Sequence, residues 1–145
     1  MLMNSIMKKS YNDLYLKDLI SLPPELYNIL NVGCIKINDC LLFKNPYDLQ
    51  SESISNFPDK TGYECFVNKI HIDNFSENPL PAAISLAVQL LKQFHNYNLR
   101  TIISYDDLSC VLRFHIIRNN ESWLNSDIEK YKEEGILIID SKDLV

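Results

Sequence analysis

The longest regular pattern of apolar and polar positions runs from residue 80 to residue 96 and predicts an amphipathic helix. Two adjoining apolar lines follow this segment at helical spacing: Ala83, Ala87, Leu90 and Phe94, and beside them Ile84, Val88 and Leu91. Polar residues fall on the far side of the helix. So broad an apolar stripe predicts that the helix packs across a sheet at the centre of the core.

Residues 109–118 alternate between apolar and polar positions, which predicts a half-buried strand of an antiparallel sheet. One face of this strand carries Cys110, Leu112, Phe114 and Ile116, and the other carries Arg113 and His115. Residues 101–105 predict a partner strand on the other side of a turn at 106–108. Residues 136–139 are a continuous run of isoleucine and leucine and predict a central strand.

Two short helices are predicted near the N-terminus. Apolar residues in 11–20 recur loosely at helical spacing. A second helix is predicted over 25–30, because Pro24 stands at its first turn and Gly33 follows its end. We expect residues 1–10 to form a flexible segment.

Turn chemistry predicts a hairpin over residues 34–43, with an Asn-Asp turn at its centre. This turn pairs Ile37 with Cys40. It also pairs Ile35 with Leu42, so that these four apolar side chains share one face.

Three further segments are interpreted from their polar content and their capping signals. Residues 45–62 are polar and predict a long irregular connection. Residues 63–72 alternate and then change parity, which predicts one strand with a bulge. Residues 126–131 begin with a capping box and predict a short acidic helix, with Gly135 as the residue after its end.

Together these elements predict an α+β fold over residues 1–145 as a single domain. We expect a mainly antiparallel sheet of five or six strands, packed on one face by the central amphipathic helix. Short helices are expected at the N-terminus and before the last strand. No apolar run has the length of a membrane-spanning helix, and no export signal is recognised, so a cytoplasmic protein is expected.

The charge of the chain is unevenly distributed. The whole chain has 19 acidic and 14 basic residues, a net charge of −5. The last 45 residues contain nine of the acidic residues and only five of the basic ones. A locally acidic surface repels nucleic acid and anionic membranes and attracts a basic partner, so neither nucleic acid nor a membrane is expected as partner. Alternatively, these charges only keep a small protein soluble.

Most chemistry-bearing patterns are missing from the sequence. The three glycines are too few for a phosphate-binding loop. The three histidines lie on separate predicted elements, and no two cysteines have the spacing of a metal site. We therefore predict no metal and no cofactor.

Two cysteine–histidine pairs could supply a nucleophile and its base. Cys110 and His115 differ in strand parity, so they point to opposite faces. Cys65 and His71 lie on either side of the predicted bulge. Buried, unreactive thiols are the simpler interpretation, and a small cysteine-dependent enzyme stays the alternative function, together with a non-catalytic subunit of a larger assembly.

The only tryptophan, Trp123, lies in a polar stretch that leads into the predicted acidic helix. One interpretation is that Trp123 covers the core beside Leu124. The other is that it anchors a basic protein partner, ringed by Glu121, Asp127 and Glu129. Similarly, adjacent aspartates at 106–107 are either a solvated turn or acidic groups of a binding surface.

Four segments resemble immunity proteins of bacterial contact-dependent growth inhibition systems. These segments are 112–118, 121–124, 127–131 and 136–140, in the last third of the chain. The resemblance implies a cytosolic protein, not an enzyme, that binds the toxic C-terminal domain of a large exported effector. Such toxins are commonly nucleases, and the immunity protein blocks the active site of the toxin.

We therefore expect a monomeric inhibitor of a basic nuclease, with an RNase or tRNase favoured because carboxylates can take the place of RNA phosphates. No catalytic residue is carried over from the resemblance. The expected toxin-binding residues are Asp106, Asp107, Glu121, Trp123, Asp127 and Glu129. The connection at residues 45–62 is the alternative surface.

Overall fold

The computed structural model describes residues 1–14, 22–44 and 53–144, and their elements form the predicted α+β fold. The helices in this part of the chain are α1 (Ser5–Asn12), α2 (Pro24–Val32), α3 (Lys60–Val67) and α4 (Pro79–Gln93). The strands are β1 (Leu2–Met3), β2 (Cys34–Ile37), β3 (Cys40–Phe43), β4 (Ile70–His71), β5 (Leu99–Tyr105), β6 (Cys110–Ile116) and β7 (Gly135–Asp140). Single 3-10 turns lie at Ile54–Asn56, Ile72–Asn74, Ile128–Lys130 and Ser141–Leu144.

The main sheet has five strands in the order β1-β7-β5-β6-β4, and each pair of neighbours is antiparallel. This arrangement confirms the predicted sheet. The central strand is β5, where Ile103 lies between Leu112 of β6 and Leu137 of β7. The run that predicted a central strand forms β7, which is an interior strand next to β5.

Helix α4 covers one face of the sheet, as its apolar stripe predicted. Ala83, Ala87 and Leu90 are at most 1% exposed and pack in the same core cluster as Leu112 and Phe114 of β6. The helix starts with proline at its first turn and ends slightly before the predicted boundary. It supplies the centre of the core.

The other face of the sheet is covered by the long connection between β6 and β7, residues 117–134, here called the β6–β7 loop. Ile128 is buried, and Leu124 and Tyr131 pack beside it against β5 and β7. The short helix predicted over 126–131 is shorter than expected and forms only the 3-10 turn Ile128–Lys130, which Asp127 caps. Its apolar residues serve as contacts to the sheet rather than as one stripe of a helix.

The predicted hairpin is confirmed, with Ile37 opposite Cys40 and Ile35 opposite Leu42. Both central turn residues, Asn and Asp at 38–39, have positive φ, at 52° and 63°. Such a turn matches the twist of the two flanking strands, and Asn and Asp tolerate its left-handed backbone.

The predicted strand over residues 63–72 is wrong, since half of this segment belongs to α3 and only β4 is extended. Asp59 starts the helix by accepting a hydrogen bond from the backbone N–H of Gly62 at 2.7 Å. Tyr63 and Val67, four residues apart, then pack in one apolar cluster. In so short a run, apolar residues four positions apart on a helix also fit the two-residue alternation of a strand. This ambiguity explains why a strand was predicted.

The N-terminal residues are built into the sheet and were wrongly expected to be flexible. β1 pairs with β7, Met7 is completely buried, and Asn4 is 1% exposed. Gly135 was predicted to follow the end of a helix, but it is the first residue of β7. A Cβ at Gly135 would lie 3.1 Å from the Cα of Met7, so this close approach explains the glycine.

Parts of two predicted segments lie outside the described residues. Of the helix expected over 11–20, only the beginning is described, as the end of α1. Of the connection expected over 45–62, residues 53–62 form a 3-10 turn and the start of α3. Among the described helices, none has the length and apolar character required to cross a membrane.

Candidate functional site

Trp123 lies over the face of the sheet that is opposite α4, and 40% of the residue is exposed. The Cζ atom of Arg113, from the middle of β6, lies 5.2 Å from the centre of the indole ring. This distance is typical of a cation–π contact. Trp123 therefore covers a charged residue of the sheet and remains partly exposed to solvent.

Arg113 has an incomplete set of partners within the described part of the chain. Its Nε atom is buried and has no hydrogen-bond partner there. Burial lowers the pKa of Arg113 from its usual value. The indole ring of Trp123 lies over this partly satisfied guanidinium.

The β6–β7 loop is held in place by hydrogen bonds on both sides of Trp123. The hydroxyl group of Ser122 donates to the carbonyl oxygen of Leu124 at 2.6 Å. The backbone N–H of Asn125 donates to the hydroxyl oxygen of Tyr131 at 3.0 Å. These bonds restrain the loop backbone on both sides of Trp123.

Asp106 and Asp107 form the turn between β5 and β6. The Oδ1 atom of Asp106 accepts hydrogen bonds from the backbone N–H groups of Leu108 and Ser109, both at 2.8 Å. These bonds lower the pKa of Asp106. Asp107 is exposed. The arrangement is that of an aspartate-stabilised turn.

Glu121 is attached to the start of α3. Its carboxylate accepts a hydrogen bond from the backbone N–H of Thr61 at 3.1 Å. Burial opposes ionisation of Glu121, but the hydrogen bonds of Thr61 and the charge of Arg118 lower its pKa overall. Glu121 therefore helps to satisfy the first turn of α3.

Asp127 and Glu129 also bind groups of their own chain. Asp127 accepts a hydrogen bond from the N–H of Glu129 at 3.1 Å and so caps the 3-10 turn. The two carboxylate oxygens of Glu129 accept from the N–H and the hydroxyl group of Ser5, at 2.6 and 2.8 Å. Glu129 thereby fixes the first turn of α1.

The six predicted site residues form two groups. Glu121, Trp123, Asp127 and Glu129 belong to the β6–β7 loop. Asp106 and Asp107 lie at the turn end of β6, whereas Glu121 follows its other end, about 20 Å away along a seven-residue strand. The structure does not gather all six into one compact patch.

A buried ionic network at the edge of β6 was missed in the sequence. Glu64 of α3 is completely buried and accepts hydrogen bonds from the N–H groups of Leu41, at 2.8 Å, and Ile116, at 3.2 Å. It also forms an ion pair with Arg118. Burial raises the pKa of Glu64, while the hydrogen bond from Arg118 lowers it.

Asn68 continues this network one helical turn further on. Its Oδ1 atom accepts from the N–H of Phe43 at 2.9 Å. Its Nδ2 atom donates to the carbonyl oxygens of Leu41 at 2.8 Å and of Phe114 at 3.1 Å. Glu64 and Asn68 thus bridge the backbones of β3 and β6 as an intervening strand would. The network has a structural role.

The chain matches a known protein family over nearly its whole length. The family model described as the uncharacterized protein PM0498 family matches residues 2–145. The chain belongs to this family. No curated protein matches the chain, and no solved structure does.

In this member of the PM0498 family, the described residues offer little for metal or thiol chemistry. They contain no cluster of three histidine, cysteine or acidic side chains that could hold a metal ion. Cys110 lies on the face of β6 opposite His115, as parity predicted. Cys65 is completely buried in α3, whereas His71 is exposed on β4.

The thiols of this PM0498 family member are expected to be unreactive at neutral pH. Burial raises the pKa of Cys34, Cys65 and Cys110 to about 12, so the thiolate is scarce. Iodoacetamide at pH 7.5 should leave Cys65 and Cys110 unmodified in the folded protein and modify both in urea, as measured by peptide mass spectrometry. Rapid modification of either thiol in the folded protein would support the alternative hypothesis of a cysteine-dependent enzyme.

Proposed function

We propose that this protein is an immunity protein that acts in the cytoplasm, binds a cognate toxin domain and occludes its active site. The observation that carries the proposal is the exposed side of Trp123, which stands on an ordered and acidic loop. Partly exposed aromatic residues are frequent centres of protein–protein interfaces. The resemblance of the last third of the chain to immunity proteins points in the same direction.

The order of the β6–β7 loop favours tight binding. Side chains and loops that are immobilised only on association reduce the affinity of a complex. Here the loop already packs on the sheet through Ile128, and Asn125 and Tyr131 are hydrogen-bonded to each other. The loop that carries Trp123 is therefore ordered before the partner binds.

The charge of the β6–β7 loop suggests the kind of partner. The loop contains five acidic residues, Glu121, Asp127, Glu129, Glu133 and Glu134, and three basic ones, Arg118, Lys130 and Lys132. An acidic surface accelerates association with a basic protein. Nucleases bind phosphates with cationic residues, so carboxylates can occupy such a site, and we propose an RNase or tRNase as the toxin.

Co-expression tests this proposal directly. The chain is expressed with the C-terminal region encoded by the reading frame immediately upstream of its gene, which is the candidate toxin. We expect the toxin alone to stop growth, the pair to restore growth, and a one-to-one complex to elute from a sizing column. A toxic domain that neither binds this chain nor is neutralised by it would contradict the proposal.

In that complex, the substitution Trp123→Ala is expected to weaken binding by about 30-fold or more, the effect of losing a central aromatic anchor. Isothermal titration calorimetry gives the dissociation constants. Phe75→Ala is the matched control, because Phe75 is 41% exposed but lies on the α4 side of the sheet. Equal affinities of the two variants would place the interface elsewhere.

A further inference from the structure

A pocket of about 520 Å³ opens between α2, the end of β3, β4 and the turn Ile72–Asn74. Its apolar wall includes Ile29, Phe43 and Ile70. Phe43 is fixed by an edge-to-face contact with Phe114, with ring centres 4.8 Å apart. The volume lies in the range of small-molecule sites, and the wall is rigid because it belongs to the core.

The polar side chains around this pocket are all basic or uncharged. Lys44, Lys69 and His71 line it together with the amide side chains of Asn28 and Asn74. None of its lining residues is acidic, although the chain has a net charge of −5. The pocket therefore differs in charge from the rest of the molecule and is suited to an anion.

The mouth of the pocket exposes apolar surface. Val32 at the end of α2 is 47% exposed, and Phe75 is 41% exposed. Gly33, which follows Val32, has no atom of the described chain within 4 Å of the position that a Cβ would take. Exposed apolar side chains beside open space favour a ligand with an apolar body.

We propose that this pocket binds a small molecule that has an aromatic or other apolar body and one carboxylate. The body would pack between Ile29, Phe43 and Ile70, and the carboxylate would meet the ammonium groups of Lys44 and Lys69. Hydrogen bonds from an ammonium to a carboxylate are stronger than those between neutral groups. The apolar wall and the two lysines together determine the orientation of the ligand.

This site is independent of the proposed toxin interface. The walls of the pocket belong to the core cluster on the α4 side of the sheet, whereas Trp123 and Arg113 lie on the opposite side. Failure of one proposal leaves the other untouched, since each is measured with a different ligand and different variants.

Calorimetric titration with 2-naphthoate and with its neutral analogue 2-naphthamide tests the proposal. The two compounds share the apolar body and differ in charge. We expect 2-naphthoate to bind one-to-one and about tenfold more tightly than 2-naphthamide, because two nearby ammonium groups attract the carboxylate. Methyl resonances of Ile29 and Ile70 should shift on binding.

The double variant Lys44→Gln/Lys69→Gln should lose about tenfold in affinity for 2-naphthoate and none for 2-naphthamide. Both lysines are exposed, so the variant is expected to fold. Lys8→Gln/Lys9→Gln removes the same charge from exposed positions of α1 and should change neither affinity. Equal affinities for the two compounds, the same loss in both double variants, or no binding of 2-naphthoate would overturn the proposal.

Discussion

Replacing Glu64 with alanine is expected to lower the free energy of unfolding by about 3–5 kcal/mol, the usual effect of breaking a buried ion pair. The substitution leaves the charge of Arg118, which is largely buried, without its carboxylate. It also removes the acceptor for the backbone N–H groups of Leu41 and Ile116. Unpaired buried donors add to the cost.

Urea unfolding followed by circular dichroism measures this effect. Glu121→Ala is the comparison variant, since Glu121 is another glutamate near Arg118 but is partly exposed and accepts one backbone hydrogen bond, from Thr61, so its loss should cost about 1–2 kcal/mol. Glu64→Gln, which keeps the size of the side chain and an acceptor, should fall between the two. A loss in Glu64→Ala no larger than in Glu121→Ala would show that the network contributes little.

The elements that the sequence predicted correctly are those in which local pattern and tertiary environment agree. The stripe of α4 is long enough to distinguish a helix from a strand, and the alternation of β6 predicts a strand, although the face that was expected to be exposed is also covered and buries Val111 and His115. The hairpin follows from an Asn-Asp turn that adopts positive φ. Each of these patterns is compatible with only one type of secondary-structure element.

The elements that were missed depend on distant contacts. Residues 63–67 form part of a helix that Asp59 caps locally, but the helix is held against the sheet by Glu64, whose partners are 23 and 52 residues away in the chain. The order of the N-terminus depends on pairing with β7 at the other end of the chain. A single sequence carries no signal for such pairings.

The candidate site was predictable in part. The polar stretch around Trp123 left open whether its ring covers the core or meets a partner, and the structure places the ring over Arg113 with 40% of the residue exposed. The carboxylates near it were interpreted only as surface charges. Glu121 and Glu129 in fact accept hydrogen bonds from Thr61 and Ser5, and sequence spacing does not reveal bonds to backbone groups so far away.

Replacing Asn4 with alanine is expected to lower the free energy of unfolding by about 2–4 kcal/mol and to loosen the β6–β7 loop. The Oδ1 atom of Asn4 accepts hydrogen bonds from the N–H groups of Met7 at 3.0 Å and Ile136 at 2.9 Å. Losing the helix cap costs about 1 kcal/mol, and an unpaired buried N–H costs about 1–3 kcal/mol. The Nδ2 atom donates to the carbonyl oxygens of Tyr131 and Glu134, at 3.4 and 3.0 Å.

Two variants separate the cap from the attachment of the loop. Asn4→Ser keeps a side-chain oxygen for the N–H of Met7 and should recover about 1 kcal/mol of the loss, but it cannot donate to both loop carbonyls. Asn12→Ala, at an exposed position of α1, is the control and should have little effect.

Trp123 is the only tryptophan, so its fluorescence reports on the loop. We expect a red shift in Asn4→Ala and Asn4→Ser, because a loosened loop exposes the indole ring to water. An unchanged spectrum in Asn4→Ala would mean that the sheet alone holds the loop.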